Sequence, residues 1–446
     1  MFIGIGALVF GLSVRAEVPP VDPEAAERGR LALTTNSFLP PAWPLDAYTK
    51  AGAYWDPKGP DPVQDPDGYA AAFGQRYGLN PAPFPNDGLP MGLRRATSQN
   101  GAKVGIQLDC LVCHGGSIGG QGYVGLGNSQ IDLHALLLDL TRASGRIPLP
   151  NLFIPNDARG MNDAGQIAVS LLSLRNADLS FRRFPLLTGA RLPNMDTPAW
   201  WIMSKKSTKY YDGRTDARSA RSNMQFLLGD LTLAQLKDLE PAYTDIDAFI
   251  KTIKAPKYPF PIDQERADRG LSVFKETCAR CHGTYGPDGA YPNKVVPLDV
   301  VGTDPARAQG LKPRFIAHYN TTWLAEGYPA DEELIGYQAP PLDGVWATAP
   351  YLHNGSVPTL YHMLKSKERP ARYLRPRTTD FEHYDQENVG WRFETFTERP
   401  DRKTSPYEAG FYFDTKRWGL DNGGHTFGDK LSDGERRDVI EYLKTL

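Results

Sequence analysis

Two short stretches constrain this chain more than any other: Asp109-Cys110-Leu111-Val112-Cys113-His114 and Thr277-Cys278-Ala279-Arg280-Cys281-His282. Each contains C-x-x-C-H, the spacing of a c-type haem attachment site. Two thiols three positions apart reach the two vinyl groups of one haem, and the next residue carries an imidazole under the iron. A redox dithiol and half of a zinc site are the rival readings of a single copy. Two copies that use all 4 cysteines favour two covalent haems, on Cys110 and Cys113 and on Cys278 and Cys281, and leave no disulfide. His114 and His282 are then the proximal ligands.

Haem c is attached outside the cytoplasm, so an export signal is expected. Phe2 to Val14 is apolar, and Val14-Arg15-Ala16 offers small residues around a cleavage point, although a basic start is missing. The run is too short to span a bilayer, which takes about 20 residues. Residues 1-16 are read as a signal peptide and the mature chain as a soluble periplasmic or secreted protein with no stable membrane span. The 446 residues suggest two or three domains. A formal charge of −2, from 50 basic and 52 acidic residues, gives no basic excess for nucleic acid. With 43 Gly and 38 Pro, much irregular loop is expected around a helical frame.

The two halves share punctuation. Asp245-Ile246-Asp247-Ala248-Phe249-Ile250-Lys251-Thr252-Ile253 aligns without gaps on Asp438-Val439-Ile440-Glu441-Tyr442-Leu443-Lys444-Thr445-Leu446. Both read as the end of an amphipathic helix, the second preceded by a capping box, Ser432 to Glu435. Glu27-Arg28-Gly29 lies in a helix opened by Asp22 and Pro23. Asp268-Arg269-Gly270 lies in one opened by Asp263, with Leu271, Phe274 and Cys278 on its apolar face. Opening and closing helices that cross at a glycine make the frame of a cytochrome c domain. The expected fold is mainly α: two cytochrome c-like domains with long irregular loops, 17-255 and 262-446, joined through the proline-rich stretch 255-261. Between Gly29 and Cys110 runs a long segment with Trp43, Trp55, Tyr69, Phe73, Tyr77 and Phe84. It is either the wall of a substrate pocket or a loop that shields the first haem.

Three further stretches resemble a known superfamily, the bacterial di-haem cytochrome c peroxidases, MauG-type enzymes and the rubber-oxygenase group. They are Thr348-Ala349-Pro350-Tyr351-Leu352-His353-Asn354-Gly355-Ser356-Val357-Pro358-Thr359-Leu360, Lys209-Tyr210-Tyr211-Asp212-Gly213-Arg214, and Asn422-Gly423-Gly424-His425-Thr426-Phe427-Gly428. The last is most like the rubber-oxygenase group, and there the resemblance makes His425 the second axial ligand of the C-terminal haem. It places His353 near that haem, bonding a propionate or backbone rather than iron. The peroxidases carry an acid shortly after the second stretch. Here Thr215 to Asn223 supply no glutamate, which counts against ordinary peroxide reduction. Polyisoprene is not implied, because rubber oxygenases are longer.

For the N-terminal haem, His134 and Met91 are candidate sixth ligands, with packing the simpler reading of both, and an open site is preferred. Trp200, Trp201, Tyr210, Tyr211 and Arg214 are candidates to line its pocket or carry electrons. His318, His362 and His383 have no motif around them and read as core or surface. The resemblance leaves room for a calcium ion between the domains. The function expected is a haem-dependent oxidoreductase, oxygenase- or peroxidase-like. Its N-terminal haem would do chemistry on a small-molecule or hydrocarbon substrate. Its C-terminal haem would exchange electrons with a periplasmic donor or acceptor. The alternatives are an electron carrier with both irons six-coordinate and, ranked last, a haem-based sensor.

Overall fold

A computed structural model describes residues 20–98, 100–148, 158–398 and 405–446. The signal-peptide expectation falls outside them. Among the described residues no helix is long and apolar enough to cross a membrane.

Two helix crossings organise the chain. Helix Pro23–Thr35 opens on Asp22, whose carboxylate accepts from Glu24 N at 3.0 Å, with proline in the first turn. It crosses helix Leu233–Ile250, which starts in a capping box made by Thr232 and Gln235. Gly29 sits at the crossing: a Cβ there would lie 1.9 Å from Asp245 O. Arg28 closes the rim by a two-pronged bond to Asp245 at 2.8 and 3.0 Å. Helix Gln264–Thr277 opens on Asp263, and helix Asp433–Lys444 starts in the Ser432–Glu435 capping box. They cross in the same register. A Cβ on Gly270 would lie 1.9 Å from Asp438 O, and Arg269 grips Asp438 at 2.9 and 3.1 Å.

The expectation of a mainly α chain built as two cytochrome c-like domains with long irregular loops is corrected. The chain is 38% helical and 11% strand, with several small sheets. Val104–Leu108 pairs antiparallel with both Trp43–Pro44 and Leu93–Thr97, in the register Trp43 to Ile106 and Leu93 to Leu108. Arg372–Leu374 lies between Glu394–Thr395 and Tyr412–Asp414. Among the described residues, four two-stranded ladders complete the set. The strands are mostly two or three residues long, so no alternating pattern announces them. Nor do the cores divide cleanly at the 255-261 stretch. One core packs Leu172, Met224 and Tyr243 against Phe315, Trp323 and Leu324. The reason is physical: the segments between the crossings bury their apolar side chains against the other half of the chain, not only their own.

The aromatic segment before Cys110 packs on itself. Trp55 stacks on Tyr69 at 5.3 Å and 12° and donates to Tyr77 Oη at 2.8 Å; Tyr77 donates to Asp139 at 2.9 Å. With Trp43 and Phe73, these rings form a core against helix Leu133–Ala143. Phe84 lies under the Arg94 guanidinium, 5.5 Å from its centroid. The six rings do not supply the wall of either cavity described below.

Candidate haem sites

Each C-x-x-C-H motif runs into a single helical turn, Leu111–His114 and Ala279–His282. Positions three and four apart share a helix face, which lets each turn present two thiols and an imidazole on one side; Cys110 is exposed and is not in the wall of the cavity that Cys113 and His114 line. Asp109 fixes the start of the first turn. Its carboxylate accepts from Leu111 N at 2.8 Å and is gripped by Arg94 at 2.8 and 3.1 Å.

Cys278, Cys281 and His282 open onto a cavity of about 250 Å³ with apolar walls that include Phe274, Val301, Leu360 and Leu443. His282 Nδ1 lies 2.8 Å from Pro340 O. A carbonyl only accepts, so Nδ1 carries the hydrogen and Nε2 keeps its lone pair free. Facing it is His425, with ring centroids 6.1 Å apart and planes at 59°. Two metal–imidazole bonds of about 2 Å plus two ring radii of about 1 Å give about 6 Å, so the pair fits the two faces of one metal-centred macrocycle. Burial pushes the His425 pKa down to about 3, assisted by His282 and Arg369, which keeps the imidazole an unprotonated base.

The loop that presents His425 is tightly built. Gly424 has φ +70°, and a Cβ there would lie 2.1 Å from Gly302 C, so the backbones touch. His425 itself has φ +45°, and its N–H donates to Val301 O at 2.6 Å. Arg369 ties the loop down, donating to Asn422 O at 2.6 Å and Gly424 O at 2.7 Å.

His353 lines the same cavity but does not face His282 as His425 does. It stacks on Tyr337 at 4.1 Å and 20°, and its backbone carbonyl accepts from Asp196 N at 3.0 Å. Its buried Nε2 makes no hydrogen bond, and burial lowers its pKa to about 3.

Cys113 and His114 open onto a second cavity, of about 260 Å³. Trp200 stacks on the His114 ring at 4.4 Å and 22°. Burial pushes the His114 pKa down to about 3, opposed by the nearby Pro198 carbonyl, although no hydrogen bond closes on Nδ1. Among the described residues no second histidine lines this cavity. His134 and Met91 are not in its wall either; Met91 is fully buried in a cluster with Leu33 and Leu111.

Of the other residues singled out from sequence, Tyr210, Tyr211 and Arg214 line the His114 cavity. Tyr210 donates to Ser222 O and accepts from Gln225, both at 2.9 Å. Tyr211 lines both cavities and donates to Asp196 O at 3.1 Å. The Arg214 guanidinium bonds the Asp331 and Leu334 carbonyls, which ties it into the backbone. Trp201 lines neither cavity. It is 3% exposed, and its indole donates to Asp343 O at 2.7 Å. His318 bonds Arg175 O, His362 bonds Thr359, and His383 lies beside Glu382. Among the described residues no group of three acidic, His or Cys side chains could hold a metal ion such as calcium.

Sequence reasoning missed Lys206, Asp212 and Arg307 in the His114 wall, and Pro198 and Pro340 opposite the two proximal histidines. Asp212 was within reach of it, inside the Lys209–Arg214 stretch already singled out; Arg307 had no local signal.

Residues 336–374 match a family model described as RoxA-like, cytochrome c-like. That stretch contains both Pro340 and His353. An uncharacterized protein y4iM of Sinorhizobium fredii (strain NBRC 101917 / NGR234) is 28% identical over 393 residues, 77% of this chain and 83% of that protein. An uncharacterized protein y4iJ of the same strain is 28% identical over 262 residues, 44% of this chain and 41% of that protein. The family match relates this chain to the RoxA-like cytochromes c and implies a haem c cofactor.

Proposed function

We propose that this chain is a periplasmic di-haem c-type cytochrome oxidoreductase, exported with cleavage after Ala16. In this reading 17-255 holds one haem through Cys110, Cys113 and His114. The stretch 262-446 holds the other through Cys278 and Cys281, with His282 and His425 as axial ligands. Haem iron supplies activation of oxygen or peroxide where a coordination position is free, and one-electron transfer where both are filled.

The observation that carries the proposal is the asymmetry of the two cavities. His282 has an imidazole facing it at 6.1 Å. His114 has none among the residues lining its cavity. The thioethers in that wall are occupied in packing: Met203 lies against the Leu111–Ile250 cluster, and Met195 Cε would be 2.9 Å from a Cβ on Gly165. Pro340 orients His282, and Arg369 holds the loop that aims His425. Trp200 limits the rotation of the His114 ring. Ala168, Val169, Leu192, Phe315 and Ile316 keep much of the cavity wall apolar, which suits a small or hydrocarbon-like substrate and excludes water.

The test is an EPR spectrum of the ferric holoprotein with cyanide titration, and carbon monoxide titration after reduction. One high-spin and one low-spin signal, with one ligand bound per chain, are expected. Two low-spin signals with no ligand bound in either redox state would replace this reading with that of an electron carrier.

A further inference from the structure

Four basic side chains line the His114 cavity: Lys206, Lys209, Arg214 and Arg307. Three of them meet a carboxylate. Lys209 lies 2.7 Å from Asp247, and Arg214 and Arg307 share Asp212 at 3.6 and 3.1 Å. Lys206 differs. It is 7% exposed, and the one hydrogen bond it makes among the described residues is a long one, 3.4 Å to Tyr210 O. An ammonium carries three donors, and removing it from water without an anion is costly. Burial lowers its pKa to about 8 against the pull of the more distant Asp212, which leaves it largely charged at neutral pH. The neighbouring carboxylate is already claimed by two arginines, so a local rearrangement does not supply a free partner. A buried cation in the wall of a cavity, with its charge unmatched, is built to receive negative charge from whatever fills that cavity.

We propose that Lys206 is the counter-cation for one anion held inside the His114 cavity. The anion is either a ligand or substrate bound at the iron, or a propionate of the haem itself. The inference rests on the reading above that this cavity holds a haem.

The test uses full-length holoprotein, wild type and Lys206→Met, Lys206→Gln and Lys206→Arg. Haem content and the low-spin signal of the His282 haem report that each variant has folded. Three quantities are read: azide affinity of the ferric protein, carbon monoxide affinity of the ferrous protein, and the reduction potential of the His114 haem. An azide affinity about tenfold weaker in the Met and Gln variants, with carbon monoxide unchanged and the Arg variant near wild type, assigns the anion to the iron. An unchanged azide affinity with a fall in potential of about 59 mV, tenfold for a one-electron couple, assigns it to a propionate. If neither quantity moves in either neutral variant, or azide and carbon monoxide affinities fall together, the proposal is overturned. Should wild-type protein bind neither ligand, the open-site reading fails separately, and the potentials still decide the role of Lys206.

Discussion

Gly270→Ala tests whether the closing crossing holds the His282 site together. A methyl at this position would stand 1.9 Å from Asp438 O, 2.4 Å from its carbonyl carbon and 2.9 Å from Val439 N. All three are backbone atoms, so no side chain can swing aside. Helices Gln264–Thr277 and Asp433–Lys444 must therefore separate by more than about 1 Å. Alanine gains about 1 kcal/mol over glycine in a helix interior. Against that stand overpacking, roughly 1–3 kcal/mol or more, and the Phe274–Tyr442 ring contact at 5.1 Å, about 0.5–1.5 kcal/mol. The net expectation is destabilisation by about 1–3 kcal/mol. Phe274, Val439 and Leu443 also line the His282 cavity, so separation would loosen the seat of the haem proposed there. Urea unfolding followed through the low-spin Soret band measures both effects. Gly434→Ala is the control: it lies in the same closing helix with nothing nearer than 4.0 Å, and it should be neutral or mildly stabilising. A Gly270→Ala protein as stable as the Gly434→Ala control would refute the claim that backbone contact at the crossing demands glycine.

Other perturbations separate buried from exposed chemistry. Asp247→Asn leaves Lys209 buried without its 2.7 Å partner and should cost about 3–5 kcal/mol by denaturant unfolding. Burial alone would raise the Asp247 pKa, but Lys209 and Lys251 outweigh it and hold the carboxyl below 3.8. Its contribution is therefore full above that value and is lost as pH falls through the lower folded value, so Asp247→Asn should flatten the acid limb of a melting-temperature profile. Arg269→Ala removes an ion pair whose arginine is 56% exposed, and should change stability by less than about 1 kcal/mol in the same assay. His425→Ala should raise cyanide stoichiometry from one to two per chain with a matching gain of high-spin EPR signal; an unchanged low-spin spectrum would remove His425 from the iron.

Features fixed by local geometry were legible in the sequence. The C-x-x-C-H turns and the Asp22, Asp263 and Ser432 caps follow from short-range rules; that the opening and closing helices of each half cross at a glycine was legible only because the pattern occurs twice, and the partners Asp245 and Asp438 were not. Long-range direction was not legible. Trp200 and Trp201 are adjacent in a 3₁₀ helix, whose neighbouring side chains diverge by about a third of a turn. One therefore stacks on His114 while the other points into the core toward Asp343. Ladders such as Val295–Pro297 with Gly336–Gln338 are too short to show a period. Arg307 reaches Asp212 across 95 positions of sequence, a contact that no motif spacing encodes.

The two cavities share part of their wall. Asp196, Pro198, Tyr211 and Pro340 line both cavities. Pro340 bonds the imidazole of His282, and Pro198 faces that of His114. His282 is thus set by a carbonyl that also bounds the neighbouring cavity, while His114 has the Pro198 carbonyl near it without a closed hydrogen bond. Tyr211 packs edge-on against His353 at 6.1 Å, and its hydroxyl bonds the Asp196 carbonyl. Burial holds the Asp196 carboxyl well above its ordinary pKa, and Arg375 only partly opposes this. A change of charge in one cavity therefore acts across a partition of largely buried residues, where screening is weak. Two sites that share such a partition cannot be tuned independently, and a substitution in it should move the properties of both.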